Sequence, residues 1–315
     1  MSPKLPLGKV LPGGVSLDGV SLGGVSLPNV PLPTGGGFQL WTDRRVRGGF
    51  RLQRHAITGH HRLIDPDDFR QAWGTFEHCR SKLDSIRPWS DDEDDGRVRY
   101  VLIHGLLRTR RCMNHLLRRV RSHGFDAETF GYGSTRASIA DHATAMGEVV
   151  ADWPASWRLR FIAHSMGNIV TRAWIGMGPG DDVLGRCESM VMLGPPNAGS
   201  SIARRLHVTG VFPVVAGVGG TQLGRDFPAV RDALATPPFP FAVIAGDVSH
   251  FPVANPILDG PNDTLVTVEE TKLEGMAEHV VVPIAHAFLM VEEKTCEMAV
   301  KLSRELASGG AKAER

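Results

Sequence analysis

The residues best placed to do chemistry lie in Phe161-Ile162-Ala163-His164-Ser165-Met166-Gly167-Asn168. An apolar run ends, a serine follows, and a helix-forming stretch begins. Small residues, Ala163 and Gly167, stand two positions to either side of Ser165. A sharp strand-to-helix turn needs this, because bulky side chains there collide with neighbouring backbone. Such a turn lifts the hydroxyl above the sheet. It also aims the N–H groups of the following helix at the place where negative charge develops. The chemistry that fits is nucleophilic attack by a serine, which requires a base. The chain has 13 histidines, so most are bystanders by number alone, His60 and His61 among them. No His-Glu-x-x-His occurs, which argues against a zinc hydrolase. The four cysteines, Cys79, Cys112, Cys187 and Cys296, form no Cys-x-x-Cys pair and read as isolated thiols of a reducing compartment.

The elements that must position these residues begin near residue 97. Val98–Ile103, Phe125–Tyr132, Leu159–Ala163, Met190–Leu193, Phe241–Ala245 and His279–Val282 read as strands. Between and after them, Met113–Ser122, Ile139–Trp153, Ile169–Trp174 and Phe288–Leu306 read as helices. Alternation of this kind means an α/β fold with a mainly parallel sheet covered on both faces. In such sheets ligands sit at the carboxyl ends of the strands, so the chemistry is expected just after each apolar run.

The pentapeptide 163–167 resembles the Gly-x-Ser-x-Gly elbow of the α/β-hydrolase superfamily, of lipase and esterase type, with Ala163 in place of the first glycine. Some bacterial lipases share the Ala-His-Ser-Met-Gly form. Upstream, Val101-Leu102-Ile103-His104-Gly105-Leu106 is similar to the family's His-Gly oxyanion loop. The resemblance implies the backbone N–H groups of Leu106 and Met166 as oxyanion donors, each typically worth ~3 kcal/mol in the transition state. His104, Gly105, His164 and Gly167 are supporting residues, His104 as an orienter of its loop rather than the base. Leu258-Asp259-Gly260-Pro261-Asn262-Asp263-Thr264-Leu265-Val266 resembles the family's acid loop. Asp263 matches the acid, with Asp259 and Asp247 as rivals. His286 stands past the strand 279–282 and before the last helix, where the family's histidine stands. His279 opens that strand at the opposite end of the sheet, and His250 lies in a loop. Leu193-Gly194-Pro195-Pro196-Asn197-Ala198-Gly199-Ser200 is similar to a turn found in lipases and in proteins like GPI inositol-deacylases.

What the resemblance implies is a serine hydrolase acting on carboxylic esters, with Ser165 as nucleophile, His286 as base and Asp263 as its partner. No cofactor and no metal are needed. Acyl transfer or thioester cleavage by the same triad is the alternative within catalysis. A lipid- or partner-binding protein without catalysis is the alternative outside it, because a fold alone does not fix chemistry.

Residues 1–37 form a Gly/Pro-rich repeat of Gly-Val-Ser-Leu units, expected to be an extended tail or an apolar arm for a protein partner. Residues 38–96 are expected to hold a hairpin around Thr58-Gly59, a helix from Pro66 to Ile86 and an acidic loop at Asp91–Gly96. The hydrolase-like domain spans 97–307, with a cap-like insertion at about 197–240, and 308–315 is expected to be a disordered tail. The charge is balanced, with 35 basic against 34 acidic residues, so no global field draws the chain to nucleic acid or to anionic membrane. Short arginine clusters such as Arg108–Arg111 and Arg118-Arg119 read as solvated helix faces. Lys4 is followed by Leu5-Pro6-Leu7-Gly8 rather than by a continuous apolar leader, and no run is long enough to span a bilayer. The expectation is a soluble, cytoplasmic protein that takes a small ester or an acyl lipid and contacts membrane surfaces at most transiently.

Overall fold

Six runs from residue 98 onward stack as neighbours in one sheet, and the four central ones are too rich in Val, Ile, Leu, Met and Phe to leave either face in water. The computed structural model describes residues 16–22, 25–29, 38–90, 95–207, 211–251, 255 and 257–313. Its main sheet has the order β12 (Glu278–Val282), β11 (Phe241–Gly246), β10 (Cys187–Leu193), β9 (Arg158–His164), β7 (Val98–Ile103) and β8 (Asp126–Phe130). Every neighbouring pair is parallel.

One face of the sheet is covered by α3 (Ile139–Ala151) and α4 (Met166–Gly176), with Phe161, Ile169, Trp174 and Val149 in the shared core. The other is covered by α2 (Asn114–Ser122) and α8 (Glu293–Ala313), through Leu116, Val120, Ala299 and Val300. The insertion after β10 is helical, with α5 (Ser201–His207), α6 (Val211–Leu223) and α7 (Phe227–Arg231). The last helix continues to Ala313, past the point at which a disordered tail was expected, carried by the strong helix formers Ala and Lys beyond its glycine pair.

The segment from 38 to 90 is more ordered than a hairpin and a helix. It is a four-stranded antiparallel sheet, β3 (Trp41–Arg47), β4 (Phe50–His55), β5 (His61–Ile64) and β6 (Arg70–Gly74), with α1 (Phe76–Ile86) packed on it through Cys79 and Leu83. The expected hairpin is β4–β5. The expected helix starts ten residues later than Pro66, because Asp65 accepts the N–H groups of Asp67 and Phe69 in a turn and Thr75 caps α1 by accepting from the His78 N–H.

The repeat also departs from expectation. Residues Ser16–Leu22 (β1) and Val25–Asn29 (β2) pair antiparallel, with Ser21 opposite Ser26 and Leu22 opposite Val25, so the repeated triplets face one another. The rest of the repeat, like residues 91–94 of the acidic loop, lies outside the described residues. All four cysteines are free. Among the described residues no helix is long and apolar enough to cross a membrane.

Candidate active site

The turn between β9 and α4 holds Ser165 at φ 53° and ψ −125°, a conformation that costs an L-residue about 1–3 kcal/mol. Its N–H is tied to the Leu193 carbonyl at 2.9 Å, while Asn168 holds its carbonyl through both backbone and side-chain N–H groups. The small residue at 167 is obligatory, since a Cβ there would stand 2.7 Å from the His104 carbonyl oxygen and 2.8 Å from that of Ile103. Gly105 makes the reciprocal approach. A Cβ on it would stand 2.8 Å from Ser165 Cβ.

Asp263 is fully buried and directly follows Asn262, which bridges antiparallel to Thr267. Its Oδ1 accepts the N–H groups of Leu265 at 3.0 Å and Val266 at 2.8 Å. Its Oδ2 takes the His286 Nδ1–H at 2.6 Å, and its carbonyl takes the His286 backbone N–H at 2.8 Å. That pairing fixes the ring tautomer and leaves Nε2 with its lone pair. His286 and Ser165 line one cavity of about 190 Å³. Among the described residues the Ser165 hydroxyl makes no hydrogen bond to a protein group, and such contacts often tighten only when substrate is bound.

His104 to Arg108 form the loop after β7, opposite this pair. His104 is wholly buried, and burial pushes its imidazole down to about 4, so the ring is neutral at pH 7. Its Nδ1–H donates to the Gly105 carbonyl at 2.9 Å and its Nε2 accepts the Tyr132 N–H at 3.3 Å. The Tyr132 hydroxyl donates to the His104 carbonyl at 2.6 Å. Neither the Leu106 nor the Met166 N–H donates to a protein acceptor among the described residues. Serine, imidazole, carboxylate and two uncommitted N–H groups are the group types that acyl transfer through a tetrahedral oxyanion requires.

Comparison with solved structures gives the architecture a name. The mature lipase BlEst2 of Bacillus licheniformis matches with a TM-score of 0.53 and 15% identity, over 68% of this chain and 96% of that one. The metagenomic carboxyl esterase MGS0156 matches with a TM-score of 0.54 and 16% identity, over 67% of this chain and 75% of that one. The chain has the α/β-hydrolase fold. No family model matches it, and neither does any curated protein.

Within this α/β-hydrolase fold most of the residues singled out in the sequence converge at the carboxyl ends of the strands. His164 donates Nε2–H to the His286 carbonyl at 2.9 Å, and burial, reinforced by the neighbouring His286, holds it well below the ordinary imidazole range. Three rivals do not line the cavity that Ser165 and His286 share, although Asp247 also stands at a strand's carboxyl end. Asp259 is largely exposed and pairs with Arg205, Asp247 accepts from Ser249, and His279 meets the Thr271 hydroxyl. Arg110 is largely buried against Asp68 of the N-terminal module rather than solvated, whereas Arg111 reaches the same carboxylate while remaining exposed.

Two residues near the site escaped the sequence reading. Tyr132 and Ser134 follow β8, where the carboxyl-end rule alone would have flagged them. Gly194, in the lipase-like turn after β10, lies close to the site, since a Cβ on it would stand 3.0 Å from His286 Nδ1. A larger groove of about 500 Å³ lies on the far side of the 283–288 segment, lined by Val248, Phe251, Ile284 and Phe288, and contains neither Ser165 nor His286.

Proposed function

We propose that the protein is a carboxylic-ester hydrolase working through an acyl-enzyme on Ser165. His286 Nε2 takes the hydroxyl proton as Oγ attacks the acyl carbonyl. Asp263 stabilises the imidazolium that results and does not itself take the proton. The Leu106 and Met166 N–H groups receive the oxyanion. The imidazolium then protonates the departing alcohol, and the same histidine activates the water that releases the acid.

The observation that carries this reading is the buried 2.6 Å contact between Asp263 and His286, whose ring shares a cavity with Ser165. The cavity walls include Leu106, Ile202, Leu223 and Val266, which suit an acyl chain. Its volume of about 190 Å³ falls below the range of about 300–1,000 Å³ that encloses drug-sized ligands, which favours short acyl groups.

The test is labelling by a fluorophosphonate together with hydrolysis of p-nitrophenyl butyrate and p-nitrophenyl palmitate. Wild type is expected to label and to prefer the butyrate, while Ser165→Ala and His286→Ala do neither. A folded wild type that neither labels nor turns over would sink the proposal.

A further inference from the structure

The loop that would supply the Leu106 N–H is itself strained. Leu107 sits at φ 57°, a left-handed conformation that an L-residue keeps only when its surroundings hold it. Its N–H donates to the Ser134 hydroxyl at 3.0 Å. That hydroxyl in turn donates to Gln39 Oε1 at 2.8 Å, and the Thr135 N–H donates to the same oxygen at 3.1 Å. Gln39 Nε2 closes the circuit by donating to the Arg108 carbonyl at 2.7 Å. One amide therefore ties the loop after β7 to the loop after β8, across 69 residues of sequence on one arm and 95 on the other.

Gln39 belongs to the 3₁₀ turn that leads into β3, outside the parallel-sheet domain. It is the last of a run of contacts in which Asp43 meets Gly131, Thr42 meets Gly133 and Gln39 meets Ser134 and Thr135. Gly133 fits the approach, since a Cβ there would stand 2.5 Å from the Gln39 carbonyl oxygen. A second hold comes from the same module. Asp68 receives Arg110 and Arg111, just past the exit of the loop. The loop is thus gripped at Arg108 and again at its far end by a unit that contributes no group to the cavity.

We infer that Gln39 is a positioning residue, and that the N-terminal module sets the oxyanion loop for catalysis. The inference rests on the hydrolase reading above. It predicts that loosening Gln39 raises the barrier of the chemical step without changing how substrate is held in the ground state. Gln39→Leu removes both arms at similar size, and Gln39→Glu keeps the acceptor arm toward Ser134 and Thr135.

With the full-length protein and p-nitrophenyl butyrate, Gln39→Leu should lower kcat about 10- to 100-fold, as small misplacements of catalytic groups do. KM should stay within about twofold, the pattern of an interaction made in the transition state. Fluorophosphonate labelling should slow in parallel, the thermal midpoint should hold, and Gln39→Glu should recover part of the rate. A Gln39→Leu variant that turns over like wild type overturns the inference. So does one in which KM, kcat and thermal midpoint deteriorate together, since that marks a merely structural role. An inert wild type would sink the hydrolase reading and this inference with it, whereas an active wild type with an equally active Gln39→Leu would sink the inference alone.

Discussion

The Asp263–His286 pair and the His104–Arg108 loop face each other across Ser165, and they are held in different ways. The first is self-contained. Asp263 and His286 are joined by two hydrogen bonds, and the remaining carboxylate oxygen is satisfied by its own turn. The second leans outward. Its histidine is locked by Tyr132 from the parallel-sheet domain, but its exit is held by Gln39 and Asp68, from turns of the separate N-terminal module. A buried charge needs every partner close at hand, whereas backbone N–H groups need only a fixed direction, and a fixed direction can be supplied from a distance.

The largest effect should come from breaking the inner side. Asp263→Asn is expected to lower kcat/KM by about 10⁴-fold, because the amide favours the wrong imidazole tautomer while the fold survives. Steady-state kinetics beside circular dichroism checks this. Loss of activity together with loss of fold would show that Asp263 is structural first.

The next effect tests the outer side. Asp43 is fully buried and accepts from Arg51 at 2.5 Å, from Gln53 at 2.7 Å and from the Gly131 N–H at 2.7 Å. Asp43→Ala leaves the Arg51 guanidinium buried, with Glu128 3.6 Å away as its next carboxylate. A loss of about 3 kcal/mol in urea unfolding is expected, the low end for a broken buried pair because of Glu128. A loss below about 1 kcal/mol, the scale of an exposed pair, would show that the module is only loosely attached.

The smallest effect is the share of His104 in a dependence of stability on pH, and it belongs to the outer side. His104 is pushed down to about 4 and His142, beneath Tyr132, to about 3, both by burial. These rings are neutral when folded and take up a proton on unfolding below the ordinary value of about 6.5. Their stabilisation is therefore complete above about 6.5 and declines as pH falls toward 4, by up to about 1.4 kcal/mol per pH unit for each ring. Urea titrations at pH 7 and pH 5 measure the slope, and His104→Gln should reduce it. An unchanged slope would mean that His104 is not neutral in the fold.

The inner side was legible in the sequence because each of its groups sits where a local pattern ends. Ser165 follows an apolar run, Asp263 follows a turn, and His286 stands between a strand and a helix. The outer side was not, because its grip is made by contacts between distant residues. Nothing around Gln39 marks it, and its partners lie 69 or more positions away. The β6 strand was misread as helix for a related reason. Phe69, Trp73 and Phe76 share helical spacing, and only the Asp65 turn and the Thr75 cap, which are side-chain hydrogen bonds, shift the boundary. The helical insertion after β10 was legible only as an absence of strand pattern.

The placement of β3 also bears on how the chain is made. β3 is an edge of its sheet, and its free side meets the loop after β8, where the Gly131 N–H reaches Asp43 from 88 residues downstream. A ribosome adding about 5–20 residues per second leaves that edge unaccompanied for roughly 4–18 s. Bare strand edges recruit one another, and charge along them is the usual deterrent. Asp43, Arg44, Arg45 and Arg47 put such charge on β3. The residues that later dock the module on α3 and on the loop can thus act beforehand as a guard on the nascent chain.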